Sequence, residues 1–325
     1  MPSIARAVKQ KVKKLDKQLK TEWYVDYGSN YRNSVFLAGV SRSGTTWLSD
    51  VLNYKNQYRY LFEPFFPAEV ELCRNLRARQ YIPEDSTDKA FTEIACRVIT
   101  GNVKSHWADR FNTKPITNKR LIKAIRANLF LKWLYNTFPE LPVIFLIRHP
   151  LAVAVSKVKL NWQRTSIKYL TQPKLMEDFL QPFQAEIEQA EERYQASGNS
   201  FENHIISWCI ENYVPLKQFQ SHEMHVVFYE NCCTQPEIET RRLFSYLGEG
   251  YDESILKKVR SASKLSRDDS AIMTGTSLVD SWKKHVTIAQ VERALEILSL
   301  FGLDKLYAYE SMPYSENLHL VMKGR

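Results

Sequence analysis

The stretch Gly39-Val40-Ser41-Arg42-Ser43-Gly44-Thr45-Thr46-Trp47, which follows an apolar run at residues 35–38, decides the fold of this chain. Its two glycines have the spacing of a phosphate-binding P-loop, G-x-x-x-x-G-K-S/T, but Thr45 stands where nucleotide triphosphatases need lysine. The cation is instead Arg42, inside the loop. A buried strand that turns through glycines into a helix directs backbone N–H groups and the positive end of the helix dipole at an anion. The sequence therefore predicts a strand, an anion-binding loop and a helix, in that order.

A second anion site is predicted where another apolar run ends. Residues 143–147 are continuously apolar, Arg148-His149-Pro150 follows them, and a helical pattern continues to residue 158. Arg148 and Ser156 are then expected at the start and on the flank of one strand-to-helix turn. Two phosphate-sized sites at the carboxyl ends of parallel strands suit a nucleotide that carries groups at both its 5′ and its 3′ position.

Short apolar or aromatic runs alternate with longer helical patterns along the chain. Because such strands pair in parallel, the pattern predicts an α/β fold, a three-layer sandwich with a mainly parallel, about five-stranded central sheet of the P-loop nucleotide-binding type. The longer connections, residues 65–119 and 160–203, are rich in aromatic residues, arginine and glutamine, and are expected to overhang the carboxyl edge of the sheet as substrate-binding cover. The predicted strands are residues 34–39, 58–61, 120–125, 142–147 and 225–229, and two predicted helices are residues 45–53 and 128–138.

Composition predicts one globular domain over residues 21–325. Hydrophobic residues make up 44% of the chain, enough for a sizeable core. No stretch approaches the roughly 18 apolar residues of a membrane span, and the N-terminus lacks the apolar core of a signal peptide, so we expect a cytoplasmic protein. The 5 cysteines are an odd number without metal-ligand spacing, which indicates reduced thiols and no metal site.

The net charge of +9 is concentrated at the N-terminus. Residues 1–20 hold seven lysines or arginines against one aspartate, and their apolar residues recur at helical spacing. This pattern predicts a basic amphipathic helix, which either contacts an anionic membrane surface or packs on the domain with its lysines in water. The rest of the chain is nearly balanced in charge, so no nucleic-acid partner is expected.

Four segments, in the same order, resemble the sulfotransferases that use 3′-phosphoadenosine 5′-phosphosulfate (PAPS). Residues 41–47 resemble the 5′-phosphosulfate loop of that family, P/T-K/R-S/T-G-T-T-W, with serine for the usual proline. Residues 148–156 are similar to its 3′-phosphate segment, R-D/N-P-x-x-x-x-x-S, with His149 at the acidic or amide position. Residues 228–248 resemble Y-E-D…R-x-I/L-x-x-F-L/I-G, and residues 282–290 resemble W-K-N-H-F-T-V-A-Q.

The resemblance implies PAPS as the donor, 3′-phosphoadenosine 5′-phosphate (PAP) as its product, and no metal. Arg42 would stabilise the leaving 5′-phosphate, where negative charge develops during sulfuryl transfer. Trp47 matches a tryptophan that lies near the adenine in the family. The residues that the resemblance assigns to the donor are Ser41, Arg42, Ser43, Gly44, Thr45, Thr46, Trp47, Arg148, Ser156, Tyr229, Trp282, Lys283 and Lys284.

The resemblance also bears on the group that takes the proton of the acceptor. The cytosolic branch of the family uses the histidine of a K-T-H strand motif, but residues 122–126 read IKAIR here. Another branch places a glutamate after the second strand, where this chain has Glu63 in LFEPFF. Glu63 is therefore the predicted general base, the alternative being a glutamate that fixes its loop through backbone hydrogen bonds. His106 is the reserve candidate, and Lys123 matches the strand lysine that steadies the sulfuryl oxygens.

The same branch of the family indicates the class of acceptor. A hydroxyl, or an amine, of a saccharide, a glycolipid or a secondary metabolite is expected. The residues predicted to contact the acceptor are Phe65, His106, Arg126 and Trp162.

The C-terminal part departs from the family pattern. The R-K-G triplet that grips the 3′-phosphate in cytosolic relatives is replaced by G-T-S at residues 275–277, which leaves Arg267, Lys283 and Lys284 as candidate cations. The stretch from Lys283 to Glu292 keeps the spacing of the dimer motif K-x-x-x-T-V-x-x-x-E of the family. It predicts either a homodimer contact or the start of an amphipathic helix.

Two other classes of function remain as alternatives. A P-loop kinase of a small metabolite would need lysine at position 45 and an acidic Mg²⁺ ligand after a strand, and neither Thr45 nor Arg148-His149-Pro150 supplies one. A non-enzymatic basic binding protein would act through residues 1–20, so that deleting them would abolish its binding.

Overall fold

The computed structural model describes residues 24–163, 165–259 and 279–323. The basic helix predicted at residues 1–20 lies outside these ranges, as do Arg267 and residues 275–277. Within the described ranges, no helix is both long enough and apolar enough to cross a membrane.

The strands of the described residues form two sheets with parallel pairing. They are β1 (Val25–Asp26), β2 (Ser34–Gly39), β3 (Arg59–Phe62), β4 (Ile116–Thr117), β5 (Arg120–Ala124), β6 (Val143–Ile147) and β7 (His225–Phe228). The main sheet has five strands in the order β3-β5-β2-β6-β7, all parallel, and β1 pairs with β4 separately. Strand β2 is central because all six of its residues can be buried.

Helices cover both faces of the main sheet. They are α1 (Thr45–Leu52), α2 (Lys89–Ile99), α3 (Leu131–Thr137), α4 (Pro150–Val158), α5 (Ile167–Leu170), α6 (Pro173–Leu175), α7 (Gln184–Ser197), α8 (Phe201–Gln218), α9 (Tyr229–Thr234), α10 (Pro236–Leu247), α11 (Ser254–Val259), α12 (Ile288–Leu300) and α13 (Leu318–Val321). Successive residues of β2 point to opposite faces, so Phe36 and Ala38 belong to one core cluster and Val35 and Leu37 to the other. The first cluster packs against α2, α3, α4, α7, α8 and α12, and the second against α1, α10 and α11. The predicted three-layer α/β sandwich is confirmed.

The observed strands agree closely with those predicted from the sequence. Strand β2 has the predicted bounds, and each of the other four strands of the main sheet begins and ends within one residue of its prediction. The predicted helix at residues 128–138 is a 3₁₀ helix at Asn128–Phe130 followed by α3. The agreement follows from the short apolar runs, which buried parallel strands require.

The expectation that residues 65–119 only overhang the carboxyl edge is wrong for α2. Apolar residues at positions 91, 95, 98 and 99 share one face of this helix and are buried in the core. Ser34 Oγ, at the start of β2, donates to the carbonyl oxygen of Ile99 at 2.7 Å. The end of α2 therefore lies at the opposite, amino edge of the sheet. The helix is placed by the burial of its apolar face in the core, and not by contact with a substrate.

Candidate active site

The predicted site residues meet at the carboxyl edge of the main sheet. Because its strands are parallel, their carboxyl ends lie side by side. Glu63 directly follows β3, Lys123 lies at the end of β5, and the P-loop (residues 39–47) leads out of β2. Arg148 directly follows β6, and Tyr229 follows β7. Each of the five strands thus delivers one part of the site, in the order of the strands across the sheet.

The P-loop requires glycine at two positions. Gly39 has φ 152° and Gly44 has φ 103°, values that L side chains rarely adopt. A Cβ atom on Gly44 would lie 2.7 Å from the ring of Tyr229, and one on Gly39 would lie 2.6 Å from the carbonyl oxygen of Leu146. The absence of side chains at these positions lets the loop pack against β6 and against the residue that follows β7.

The N-terminus of α1 is open to a ligand. The first N–H groups of a helix have no partner within it, and the N-cap residue, Gly44, has no side chain that could bond them. Ser43 Oγ is turned back to the carbonyl oxygen of Val40, at 2.7 Å. The Ser41 hydroxyl is buried and has no hydrogen-bond partner among the described residues. These donors fit the oxygens of an anion.

The two predicted anion sites touch each other. Arg42 Nε donates to Ser156 Oγ at 2.9 Å, which joins the P-loop to α4. Arg148 Nη1 donates to the carbonyl oxygen of Arg42 at 3.2 Å. Arg42 also has a left-handed backbone, with φ 72°. The geometry therefore suits one ligand with two anionic groups rather than two separate ligands.

Aromatic groups, and no carboxylate, hold Arg148. Its guanidinium carbon lies 4.2 Å from the centroid of the Tyr229 ring, and Trp208 Nε1 donates to the Arg148 carbonyl oxygen at 2.9 Å. Trp47 packs edge-on against Tyr229, with 5.8 Å between ring centroids, and its Nε1 donates to the carbonyl oxygen of Val259 at 3.0 Å. Among the described residues, no carboxylate forms an ion pair with Arg148, although its charge acts on the buried Glu230 and lowers the pKa of that carboxyl against the effect of burial. Its charge is therefore available to a ligand.

Glu63 is buried and accepts hydrogen bonds from three donors. Lys123 Nζ donates to Oε1 at 2.6 Å, Arg126 Nη1 donates to Oε2 at 3.0 Å, and the backbone N–H of Ile125 bonds both oxygens at 3.1 Å. The backbone of Glu63 is left-handed, with φ 49°, and its N–H donates to the carbonyl oxygen of Lys123 at 2.8 Å. Glu63 thus anchors the end of β3 to the end of β5, as one of the two hypotheses for it requires.

Lys123 and Arg126 share the charge of Glu63. Burial lowers the pKa of Lys123, Glu63 raises it, and the charges of Arg126 and Arg42 lower it further. Arg42 is therefore within electrostatic range of Lys123. The Arg126 guanidinium carbon lies 3.7 Å from the centroid of the Phe66 ring, and burial lowers the pKa of Arg126.

His149 is a neutral residue that connects the second anion site to the C-terminal part of the chain. Its Nδ1 accepts from the N–H of Leu151 at 3.3 Å and so caps α4, which leaves the ring proton on Nε2, 3.2 Å from the carbonyl oxygen of Ala308. The ring stacks on Trp282, with 4.5 Å between centroids. Burial lowers the pKa of His149 to about 3, so it carries no charge at neutral pH.

Glu230 completes this connection. It is fully buried, and it accepts from the backbone N–H of His149 and from the Tyr307 hydroxyl, both at 2.9 Å. Burial raises the pKa of Glu230. His149 follows Arg148 in the chain, and Glu230 follows Tyr229. These two side chains therefore connect residues 279–323 to the second anion site.

The family of the chain is shown by a match to a family model. The model of the sulfotransferase family matches residues 34–253, which is more than half of the chain and includes every strand of the main sheet. This chain belongs to the sulfotransferase family.

Three proteins that resemble this sulfotransferase share 16–23% of their residues with it. The nodulation protein NoeE of Sinorhizobium fredii is 23% identical over 308 residues, which cover 89% of this chain and 69% of NoeE. Among solved structures, the sulfotransferase domain from the curacin biosynthetic pathway is similar at 16% identity with a TM-score of 0.47, over 82% of this chain and 96% of that domain. The sulfotransferase domain of the Synechococcus PCC 7002 olefin synthase gives the same identity and TM-score, over 82% and 94%.

The predicted acceptor contact Phe65 is corrected by the structure. Phe65 is 3% exposed and packs in the core against Phe36 and Phe130, with ring centroids at 6.3 and 5.1 Å. The chain turns at Glu63, and the N–H of Phe66 donates to the carbonyl oxygen of Glu63 at 3.1 Å. Because of this turn, the half-buried Phe66, and not Phe65, lies beside Arg126.

Two of the other predicted acceptor contacts, His106 and Trp162, lie on the surface of the sulfotransferase. His106 is exposed, and the ring of its neighbour Trp107 lies 5.6 Å from that of Phe66. Trp162 follows the end of α4 and is 43% exposed, and its carbonyl oxygen is 2.8 Å from His204 Nε2. Neither prediction is tested by these contacts.

The stretch from Lys283 to Glu292 begins with two lysines and continues as a helix. Lys283 Nζ lies 4.7 Å from the centroid of the Tyr309 ring, and Lys284 is exposed. Thr287 is the N-cap of α12, with a capping box to Gln290. The predicted start of an amphipathic helix is confirmed, and the homodimer stays a prediction.

Two features of the site were not predicted. Arg79 Nε donates to Glu211 at 2.7 Å, although the two residues are far apart in the chain and belong to no motif. The bonds of Glu230 to His149 and Tyr307 were also missed. Among the described residues, no group of three or more His, Cys, Asp or Glu side chains could hold a metal ion, and the 5 cysteines are free.

Proposed function

We propose that this sulfotransferase moves the sulfuryl group of PAPS to a hydroxyl, or an amine, of a saccharide, a glycolipid or a secondary metabolite. One observation carries the proposal, namely that the P-loop and the Arg148 site are in contact through Arg42, Ser156 and Arg148. PAPS has anionic groups on both sides of its nucleoside. It therefore matches two adjoining anion sites better than a nucleotide with a single phosphate chain does.

The described residues fit this donor. The N-terminus of α1 is open, and within residues 24–163, 165–259 and 279–323 the buried hydroxyl of Ser41 has no hydrogen-bond partner and Arg148 has no ion pair with a carboxylate. PAPS, when bound, supplies an activated sulfuryl group and leaves as PAP. The residues that we assign to it are those of the P-loop from Ser41 to Trp47, together with Arg148, Ser156 and Tyr229.

Three further residues near the donor site have less direct roles. Trp282 is 2% exposed and lies under His149, so it supports the second anion site through the His149 ring. Lys283 and Lys284 supply positive charge on the same side of the molecule, and we retain them as candidates for the 3′-phosphate.

Arg42 and Lys123 provide the positive charge for the transfer. Negative charge develops on the oxygen that leaves with the 5′-phosphate, and a fixed cation beside it lowers the barrier. Arg42 is placed by its bond to Ser156, and Lys123 by its bond to Glu63. In this proposal Arg42 steadies the leaving phosphate, and Lys123, at the end of β5, steadies the sulfuryl oxygens.

Glu63 is the general base in this proposal. Ion pairs with Lys123 and Arg126, at 2.6 and 3.0 Å, hold its carboxylate in place. The acceptor hydroxyl would replace one of the present donors, and Arg126 is the more accessible of the two cations, with 18% of its side chain exposed against 3% for Lys123. The proton of the acceptor then moves to the Glu63 carboxylate as the acceptor oxygen bonds to sulfur.

The acceptor would lie on the β3 and β5 side of the P-loop. Arg126 is its first contact, and Phe66 replaces Phe65 as the aromatic contact. Half-buried aromatic faces beside a polar reacting group are common in small-molecule sites. His106 and Trp162 remain proposed contacts of the outer part of the acceptor.

The remaining proposals concern partners and location. A homodimer through residues 283–292 is supported by Ile288, an apolar residue that is 78% exposed at the start of α12. We also propose a cytoplasmic enzyme whose residues 1–20 contact a membrane surface.

The test is calorimetric binding of PAP to the wild-type protein, with ATP as the control ligand. We expect micromolar binding of PAP and at least tenfold weaker binding of ATP, because ATP has no 3′-phosphate for Arg148 and Ser156. Tighter binding of ATP would refute the proposal and favour a kinase. Deletion of residues 1–20 should leave PAP binding unchanged, and its loss would favour a basic binding protein.

A further inference from the structure

Two arginines outside the donor site, Arg79 and Arg126, lie over buried carboxylates. Arg126 Nη1 donates to Glu63 at 3.0 Å, and Arg79 Nε donates to Glu211 at 2.7 Å. Each arginine side chain is 18% exposed, whereas the Glu63 and Glu211 side chains are 2% and 1% exposed. Solvent therefore meets two guanidinium groups, and the balancing negative charge lies beneath them.

The Arg79–Glu211 pair lies beside the segment that carries Arg126, since Asn128 Nδ2, two residues after Arg126, donates to the carbonyl oxygen of Glu211 at 2.9 Å. Burial lowers the pKa of Arg126, Glu63 raises it, and the charge of Arg79 lowers it further. Each guanidinium has five N–H donors, and the bonds described above use one of each. An anion bound between the two arginines would use the remaining donors and would relieve their repulsion.

The chain holds Arg79 in a fixed position. Its backbone is left-handed, with φ 59°, a conformation that a non-glycine residue keeps only where other contacts enforce it. Gln172 supplies two of these contacts, since its Nε2 donates to the Arg79 carbonyl oxygen at 3.2 Å and its Oε1 accepts from the Tyr81 N–H at 2.8 Å. The Tyr169 hydroxyl donates to Glu211 from the other side. Arg79 is thus placed before any ligand binds.

We propose that Arg79 and Arg126 bind a carboxylate of the acceptor, an inference that rests on the proposed sulfuryl transfer. A guanidinium fork matches the two oxygens of a carboxylate. Because Arg126 contacts Glu63, this carboxylate lies close to the hydroxyl that reacts. The acceptor class is therefore a hydroxylated carboxylic acid, such as a uronic acid or a hydroxylated aromatic acid, and a neutral sugar is a poorer substrate.

The experiment compares 4-hydroxybenzoate with 4-hydroxybenzamide, which share a ring and a hydroxyl and differ in charge. Calorimetry measures the binding of each to the wild-type protein saturated with PAP. The test variant is the double substitution Arg79→Gln and Glu211→Gln, which removes one guanidinium without leaving a buried carboxylate unpaired. The matched control is the double substitution Arg32→Gln and Glu140→Gln, an exposed ion pair next to the amino ends of β2 and β6.

We expect the wild-type protein to bind the carboxylate about tenfold more tightly than the amide, since charge-assisted bonds are the stronger ones. This preference should disappear in the test variant, persist in the control, and be partly retained by the single substitution Arg79→Lys. A wild-type protein that binds PAP but prefers neither probe, or binds neither, overturns the inference. An unchanged preference in a folded test variant also overturns it. Failure to bind PAP at all would instead refute the proposed function.

Discussion

The two sides of the P-loop hold their cations in opposite ways. On the side of β3 and β5, Lys123 and Arg126 are paired with Glu63, and Arg79 is paired with Glu211. On the side of β6 and β7, Arg148 lies over an aromatic ring, and no carboxylate of the described residues pairs with it. The cations of the first side all form ion pairs within the protein, whereas Arg148 forms none with a described carboxylate.

Because of this difference, substitutions on the first side should mainly affect stability, and substitutions on the second side should mainly affect ligand binding. Removing one partner of a buried ion pair leaves an uncompensated charge, which destabilises the folded state strongly. Removing a cation that only a ligand pairs with weakens binding and leaves the folded state almost unchanged. The same type of substitution, arginine to glutamine, should therefore have different effects on the two sides.

The largest effect is expected for Glu63→Gln. Glutamine keeps an oxygen that can accept from Ile125 and Lys123, but it cannot take a proton, so kcat should fall by about 100- to 10,000-fold. PAP affinity should change by less than about threefold. Steady-state kinetics with PAPS and the best acceptor from a screen measure the first quantity, and calorimetry measures the second.

The control for this prediction is Glu249→Gln. Glu249 pairs with Lys119 next to the amino end of β5, away from the site, and its loss should leave kcat unchanged. If Glu63→Gln retained nearly full kcat, Glu63 would be only the anchor of its loop.

The second prediction compares the variants Arg148→Gln and Arg126→Gln in PAP binding and in the free energy of unfolding. We expect Arg148→Gln to weaken PAP binding by about 10- to 100-fold, the value of a charge-assisted bond, with little change in the free energy of unfolding. Arg126→Gln should lower the free energy of unfolding by about 2 kcal/mol, because Glu63 stays buried with one cation fewer, and should barely change PAP binding. Calorimetry and urea denaturation of both variants provide the data. Equal effects of the two substitutions would contradict the distinction between the two sides.

The third prediction concerns the pH dependence of stability on the side of β6. The folded pKa of His149, about 3, lies below its usual value, so the unfolded chain binds the proton first as the pH falls. The stability due to neutral His149 is present above about pH 6.5 and is lost towards pH 3, with a loss of about 2 kcal/mol by pH 5. His225, whose pKa burial lowers to about 4, contributes with the same sign.

Urea denaturation at about pH 7.5 and about pH 5 measures this effect. The variant His149→Asn keeps an N-cap side chain and should lose about 2 kcal/mol less than the wild type between these two pH values. The exposed His319→Asn serves as the control and should behave like the wild type. A loss in His149→Asn equal to that of the wild type would show that His149 does not set the pH dependence.

The smallest effect is expected at Tyr229. Its ring face contributes a cation–π contact to Arg148, so Tyr229→Leu should weaken PAP binding by about 0.5–1 kcal/mol. Tyr229→Phe keeps the ring and should bind PAP like the wild type. Equal affinities for the leucine and phenylalanine variants would mean that the aromatic face does not orient Arg148.

The parts of the site that could be predicted from the sequence are those specified by local pattern. The run at residues 35–38 and the two glycines after it are sufficient for a buried strand, a loop and a helix. Because the carboxyl ends of parallel strands lie at one edge of a sheet, the sequence also predicts that Glu63, Lys123 and Arg148 lie close together.

The parts that could not be predicted depend on long-range contacts or on a single backbone angle. Arg79 meets Glu211 across 132 residues without a motif. The two-residue strand β1 has no periodicity to detect, and it is held by Asp26, which accepts from the buried Arg120. The choice between Phe65 and Phe66 depends on the left-handed turn at Glu63, which alternation of polar and apolar residues does not reveal.

The order of the strands across the sheet also matters for how the enzyme can diversify. Apart from Trp162, which follows β6, the residues assigned to the acceptor lie at the end of β3 or β5 or after them, and almost everything assigned to the nucleotide follows β2, β6 or β7. Insertions or exchanges in the connections after β3 and β5 can therefore alter the substrate range while the donor chemistry is inherited intact. Protein engineers who graft those two connections between relatives, and keep Glu63 at the end of β3, would be exchanging the acceptor contacts alone.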